Sequence, residues 1–325
     1  MRFFGTVAAA VVAAACLSVS SVQPASAEAA VELTGSAGPF FQQRAKVAVP
    51  AYHVVFITQQ EGTAAGSMEA RARLNTRLVG VDEATMRRLA NEAHADFVAQ
   101  LQGAGIEVVP AEQNATIAAD VEKVPGNGDV RDAGRGITIG RAVRRGYAAF
   151  GADAAPLLAP YHNPTSPNGT PNMIQIPGAS NKLGRAARVF DAVAVVPALT
   201  FDYVSMELTA RSDAANVSAN LGFALRASSN VAFAGQGNAG PGYYQGMRMR
   251  EDYTVPTSFI ADVATGGADV NVGTLTAQAD ENYVMQDRAR GDAVYVNLPV
   301  WEGLVRDAYK TFNAAVVAEI VEARS

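Results

Sequence analysis

One cysteine and three histidines in 325 residues leave this chain few of the side chains that build reactive or metal-binding sites. Cys16 sits within the first 27 residues, so removal of that segment yields a product without thiols or disulfides. A disulfide framework, a paired-cysteine zinc site and a cysteine nucleophile are then excluded from the mature protein. His53, His94 and His162 are scattered, there is no HExxH, and no serine sits in a GxSxG elbow. A basic surplus is missing as well. The 26 Lys and Arg face 31 Asp and Glu, a formal charge of −5, which suits nucleic acid poorly because binding there depends on phosphate neutralisation.

The most informative stretch that is present comes first. Arg2 precedes an uncharged apolar run from Phe3 to Leu17, and Ala25-Ser26-Ala27 supplies small residues at −3 and −1 of a signal-peptidase site. The run is too short to span a bilayer as a stable helix. The expected product begins at Glu28 and is periplasmic or secreted. Loss of Arg2, the only charge in the leader, takes it from −5 to −6. An alternative makes Cys16, behind Ala13-Ala14-Ala15, a lipid-anchored residue, although Leu is absent at −3. Hydrophobic residues make up 49% of the chain, enough to bury a substantial core and exclude global disorder.

The pattern predicts a single large α+β domain over 28–325, with a mixed or antiparallel sheet, a long hairpin, and helices covering one face. An αβ layer is expected over 46–110. In it, Val47 to Thr58 reads as a buried strand with Pro50 at its start or a bulge, Glu61 to Ser67 as a Gly-rich loop, and Ala72, Leu74, Thr76 and Leu78 as one face of a half-buried strand. Met86, Leu89, Ala90, Ala93, Phe97, Val98 and Leu101 make the apolar stripe of a helix over Asp82 to Gln102, with Asp82 as N-cap and Gly103 ending it left-handed. A short strand follows at Ile106 to Val109.

Residues 111–178 read as an irregular insertion, broken by a possible helix from Ile139 to Phe150 and ending in a Pro-rich connection with six prolines in 156–178. A helix at Ser180 to Phe190 then leads into a hairpin over 192–234, one face wet and one dry, whose phase slips at Tyr203–Val204 as a β-bulge would make it slip. Short strands are expected at 258–264 and 269–277, and a closing helix at about 300–323, with Trp301, Leu304, Val305, Ala308, Phe312, Val316 and Ile320 inward.

Candidate sites are few. Arg141, Arg144 and Arg145, at i, i+3 and i+4 of the expected second helix, would share one face, where like charges cost a few tenths of a kcal/mol each. That suggests anion binding, with anionic lipid, an envelope polymer or an acidic partner as ligand; a solvated face is the plainer reading. Arg71, Arg73 and Arg77 pose the same question on a strand. His162, beside Tyr161 and Asn163 in the Pro-rich connection, is the histidine best placed for a catalytic pair with a distant acid, while Glu92, His94 and Asp96 cannot converge on one helical face. Gly235 to Gly240 matches a dinucleotide pattern, but Pro241-Gly242 oppose the helix it requires, and Gly134 to Gly140 has the wrong spacing. No cofactor or metal site is therefore expected. Arg290-Gly291-Asp292 is read as a chance triplet, and Asn114, Asn168 and Asn216 open sequons.

In the order of its elements, over Lys46 to Val109 and Ser180 to Phe233, the chain resembles the αβ domains of periplasmic assembly proteins such as the TolB amino-terminal domain and the curli secretion channel. The resemblance implies a non-enzymatic envelope protein whose partners are envelope proteins or itself. Two further classes stand beside it: a self-assembling pore using hairpin 192–234, whose alternating stretch 217–227 meets the length of a spanning strand, and an envelope hydrolase with a site near His162.

Overall fold

A computed structural model describes residues 31–41, 46–65, 71–125, 128–131, 141–162, 176–211, 215–234, 246–255, 257–264, 270–271, 274–278 and 292–325. The leader with Cys16, both Gly-rich patterns at 134–140 and 235–240, residues 163–175, Asn168 and Arg290 of the triplet lie outside them. The fold is α+β, built on a mixed sheet.

The organising element is β8 (Ala192–Ala210). Along one edge it pairs in parallel first with β2 (Lys46–Ala48) and then with β3 (His53–Ala65), the latter only over Ala198–Phe201 against His53–Phe56. Along the other edge it pairs antiparallel with β10 (Asn230–Ala234) and β9 (Ala215–Leu225). The expected hairpin is therefore present, interrupted at residues 226–229. Beyond β10 lie β11 (Gly246–Met249) and β1 (Leu33–Thr34). Past Phe56 the same edge of β3 carries β4 (Arg71–Val79), then β16 (Asp292–Val296) in parallel, then β13 (Ile260–Ala264). Five short or outlying strands complete the sheet: β5 (Glu107–Val108) on β2, β6 (Gly128–Arg131) on β7 (Arg141–Gly151), β12 (Tyr253–Thr254) and β15 (Thr274–Gln278) on β9, and β14 (Val270–Asn271) on β15.

Strand alternation distributes two cores. Val193 and Val195 of β8 join a large apolar core with α2 (Glu83–Gly103), α5 (Leu298–Arg324) and the short α1 (Gly38–Phe41). Ala192, Ala194 and Val196 join a smaller one with α3 (Ala111–Ile117) and α4 (Ile176–Arg188). The two longest helices thus cover one face, and shorter helices cover the other. Small residues at Ala48, Ala194, Ala232 and Ala234 line the second core, where bulkier strand residues would hold the helices off.

The α2 stripe is buried as its spacing requires, and Asp82 Oδ1 accepts from Thr85 N at 2.8 Å. The helix ends one step later than expected: Ala104 is the C-cap, and Gly105, with φ +74, takes the left-handed turn assigned to Gly103. A polar clasp joins α2 to α5 beneath the apolar contact. Tyr52 Oη donates to Asn313 Oδ1 at 2.8 Å, and Asn313 Nδ2 donates to Ala93 O and to Asp96 Oδ2.

Three local readings are corrected. Val47 to Thr58 is not one strand, because the chain breaks between Ala48 and His53, around Pro50, before β3 begins. The glycine-rich stretch starting at Glu61 is strand as far as Ala65, since β3 pairs across it on both edges. Ile139 to Phe150 is not a helix: from Arg141 it is β7, hydrogen-bonded to β3 from His53 to Ala64. Pairing with a long partner overrides a helix-compatible spacing. Two elements inside the insertion, α3 and β6, carry no expectation from periodicity. Asn114 is buried in α3 with Nδ2 donating to Val109 O at 3.0 Å, so that sequon is closed.

Candidate functional site

The sheet forks where β3 and β8 part. On β3 the pairing register to β7 shifts between Ile57 and Gln59, and on β8 the register to β9 shifts between Asp202 and Val204, at the anticipated slip. Beyond the shifts β3 turns its freed edge to β4, and β8 continues with β9. Side chains bridge the gap that backbone hydrogen bonds no longer span. Gln60 Nε2 donates to both carboxylate oxygens of Asp202 at 2.7 Å and to Val204 O at 3.1 Å. Tyr203 Oη donates to Thr76 O at 2.8 Å, so its remaining contact with Thr76 Oγ1, at 2.9 Å, takes the threonine proton.

Asp202 is almost wholly buried, which pushes its carboxyl above the usual range; the guanidinium groups of Arg226 and Arg145 and the Tyr203 amide pull against that. Arg145 Nε lies 3.9 Å and Arg226 Nε 3.8 Å from the same atom, Asp202 Oδ2. Burial lowers the Arg145 pKa in turn, offset by Asp202 and Asp252. Arg226 also holds Asp252 through Nη1 at 2.9 Å, and Asp252 Oδ1 accepts from Ala227 N.

The opposite face at the same level carries a second ionic group. Glu61 is bonded by Arg73 of β4 and lies 3.9 Å from Arg144 of β7, its register partner. Gln59 and Asn75 are hydrogen-bonded on the same side, at 3.2 Å. Above the fork the inner face turns apolar. A Cβ on Gly62 would stand 2.7 Å from both Met206 Sδ and Val217 Cγ1, so the β3–β4 and β8–β9 hairpins close on each other through a glycine.

The histidines lie elsewhere. His53 is buried with Nε2 accepting from Leu158 N at 3.0 Å, so the proton of the neutral ring is on Nδ1. Its pKa falls to about 3 through burial, with a smaller push from His162. The His162 ring stands edge-on to His53 at 6.3 Å and to Tyr147 at 5.7 Å, and Tyr161 Oη shares a 2.8 Å hydrogen bond with Ser180 Oγ. His94 packs edge-on to Tyr52, and burial lowers it to about 4.

The arginine trio is therefore dispersed. Arg144 and Arg145 are adjacent on a strand and face opposite ways; Arg141 sits further along it, registered against Ala64. Of the β4 set, Arg77 is exposed, Arg73 is committed to Glu61, and Arg71 stands at the start of the strand beside Ala65. His162 meets aromatic rings. Among the described residues no group of three or more His, Cys, Asp or Glu could hold a metal ion. Sequence reasoning missed Gln60, Asp202, Arg226 and the Tyr203–Thr76 bond. A lone acid inside the apolar run Leu199 to Val204 was the available signal.

The chain matches no protein-family model, no curated protein and no solved structure.

Proposed function

We propose that the protein is an exported component of the cell envelope that acts by binding or by assembly with envelope partners or with itself, and that its ionisable interior is a brace. The arrangement at the fork carries this reading: Glu61 with Arg73 and Arg144, and Asp202 with Gln60, Arg145 and Arg226, tie four strands together at one level. The braced ribbon then presents an outward row of short polar side chains, Ser205, Thr209, Asn216, Ser218 and Asn220, with Glu207 the one charge among them. The layout resemblance to periplasmic assembly proteins and the Ala25-Ser26-Ala27 cut site support the same reading.

The test is expression of the full chain in a bacterial host, with osmotic-shock release, amino-terminal sequencing, and cross-linking from a cysteine placed at Ser218. The expected result is a shock-released product starting at Glu28 that cross-links into defined species above the monomer mass. A product retained in the cytoplasm with its leader intact, or a monomer without cross-links, overturns it.

One observation favours the pore as a second reading. The apolar faces of two hairpins, Leu74 and Ala72 of β4 and Met206, Leu208 and Val217 of β8–β9, cover each other across Gly62, and would face lipid if the hairpins opened. As folded, the polar row faces outward, so opening is obligatory. A disulfide between cysteines at Gly62 and Met206 would then block vesicle leakage; leakage that is absent, or indifferent to the disulfide, removes the pore.

A further inference from the structure

Beside Asp202 two guanidinium groups converge without closing on their acid. Both Nε atoms approach the same oxygen, Asp202 Oδ2, at 3.9 Å for Arg145 and 3.8 Å for Arg226, outside direct hydrogen-bond range. The side chains are only 20% and 26% exposed, so they are packed against the sheet and are not waving freely in solvent. Among the described residues the Arg145 guanidinium has Asp202 as its ion partner and donates no hydrogen bond to it or to another group. Arg226 spends Nη1 on Asp252. A guanidinium carries five N–H donors in a planar fork, and among the described residues none on Arg145 or Arg226 is a buried orphan, so those left over are open to solvent or to a ligand.

We propose that Arg145 and Arg226 form a binding site for a singly charged oxyanion, a carboxylate or a phosphate group, seated on the outer N–H groups of Arg145 with Arg226 as the second cation. The fork matches either group bidentately, which an ammonium in the same place would not. Charge limits the ligand to one unit at most, because Asp252 balances Arg226 and Asp202, the ion partner of Arg145, opposes further negative charge. The structure fixes both arginines: Arg145 is held opposite Gln60 by the β3–β7 register, and Arg226 leaves the end of β9 with its backbone N donating to Thr200 O. This site uses the N–H groups that the same two arginines do not spend in the brace, and it requires neither export nor assembly.

The experiment follows the arginine Nε–Hε signals of the labelled protein by NMR at constant pH and ionic strength. Acetate, inorganic phosphate and dihexanoyl phosphatidylglycerol are titrated separately. The expected result is a saturable shift of the Arg145 and Arg226 signals, with the exposed Arg77 drifting only linearly. Arg145→Gln weakens binding about tenfold or more, and Arg145→Lys, which keeps charge but not the fork, falls between. Tighter saturation by the phosphatidylglycerol identifies a headgroup as the source, and tighter saturation by acetate or phosphate identifies a free ion. Linear shifts at all arginines, or unchanged affinity in Arg145→Gln, overturn the site. Should Arg145→Gln fail to fold, the native titration alone decides, by whether the Arg145 signal saturates.

Discussion

Gln60 and Asp202 meet where the sheet divides: one side-chain amide donates 2.7 Å hydrogen bonds to both oxygens of a carboxylate on the neighbouring strand. Those strands are joined by backbone pairing over four residue pairs, the last Phe56–Phe201, and beyond this point each has a different partner. Asp202 therefore stands at the junction where the two strands part. Removing one partner of such a group leaves the rest buried and unmatched. Asp202→Ala is expected to destabilise by about 3 kcal/mol, and Asp202→Asn by about half that, since the amide keeps the shape and can still accept from Tyr203 N. Urea unfolding checks the order; equal losses would show that shape and hydrogen bonding at this position contribute nothing.

Tyr203 and Thr76 carry the same seam one step further, in a neutral form. Burial raises the Tyr203 hydroxyl above its ordinary pKa, so it stays a donor throughout the accessible pH range. Tyr203→Phe leaves the Thr76 carbonyl and hydroxyl without this partner at no cost in apolar volume. A loss of about 1–2 kcal/mol in urea unfolding is expected, independent of pH between 6 and 9. A loss that grows with pH would mean the hydroxyl ionises.

What the sequence revealed and what it hid follow from the range of the forces involved. The bulge near Tyr203–Val204 was legible because a strand buried on one face must skip a residue to keep its apolar side inward. The α2 stripe, its Asp82 cap and the α5 stripe were legible because helical periodicity is local. The identity of β7 was not: Arg141, Arg144 and Arg145 fit a helical spacing, and only pairing with β3, about 85 residues away in sequence, makes them a strand. Asp202 was passed over for the same reason, since the residues that satisfy it come from β3, β7 and the end of β9. Arg144 and Arg145 pointed to charge chemistry, but their acids, Glu61 and Asp202, lie on opposite faces of the sheet.

Gly62 shows how a local signal can mislead. In a stretch reading Glu-Gly-Thr-Ala-Ala-Gly it suggests a loop, yet it lies mid-strand because the opposing hairpin needs its hydrogen-sized side chain. Gly62→Ala is expected to cost about 1–3 kcal/mol through overpacking against Met206 and Val217, despite the better strand propensity of alanine. Met206→Ala in the same chain should restore part of that, because it vacates one of the two clashing groups. Thermal melts of the single and double variants measure the coupling; purely additive losses would place the two hairpins further apart than described.

Two buried histidines are expected to weaken the fold in acid. His53 is lowered to about 3 and His94 to about 4, both chiefly by burial, against about 6.5 for the unfolded chain. A depressed folded pKa means the native state favours the neutral ring. The unfolded chain therefore takes up protons first as pH falls, and stability declines from about pH 6.5 towards those values, by up to about 1.4 kcal/mol per unit for each histidine. Urea unfolding at pH 7.5 and 5.5 should differ by about 3 kcal/mol, and His94→Gln should remove roughly half of the difference. His53→Gln is expected to remove the other half while preserving an acceptor for Leu158 N. It would also cost stability at both pH values through imperfect packing against His162. A pH dependence unchanged in both variants would transfer the acid sensitivity to the carboxylates and leave the two rings as ordinary core.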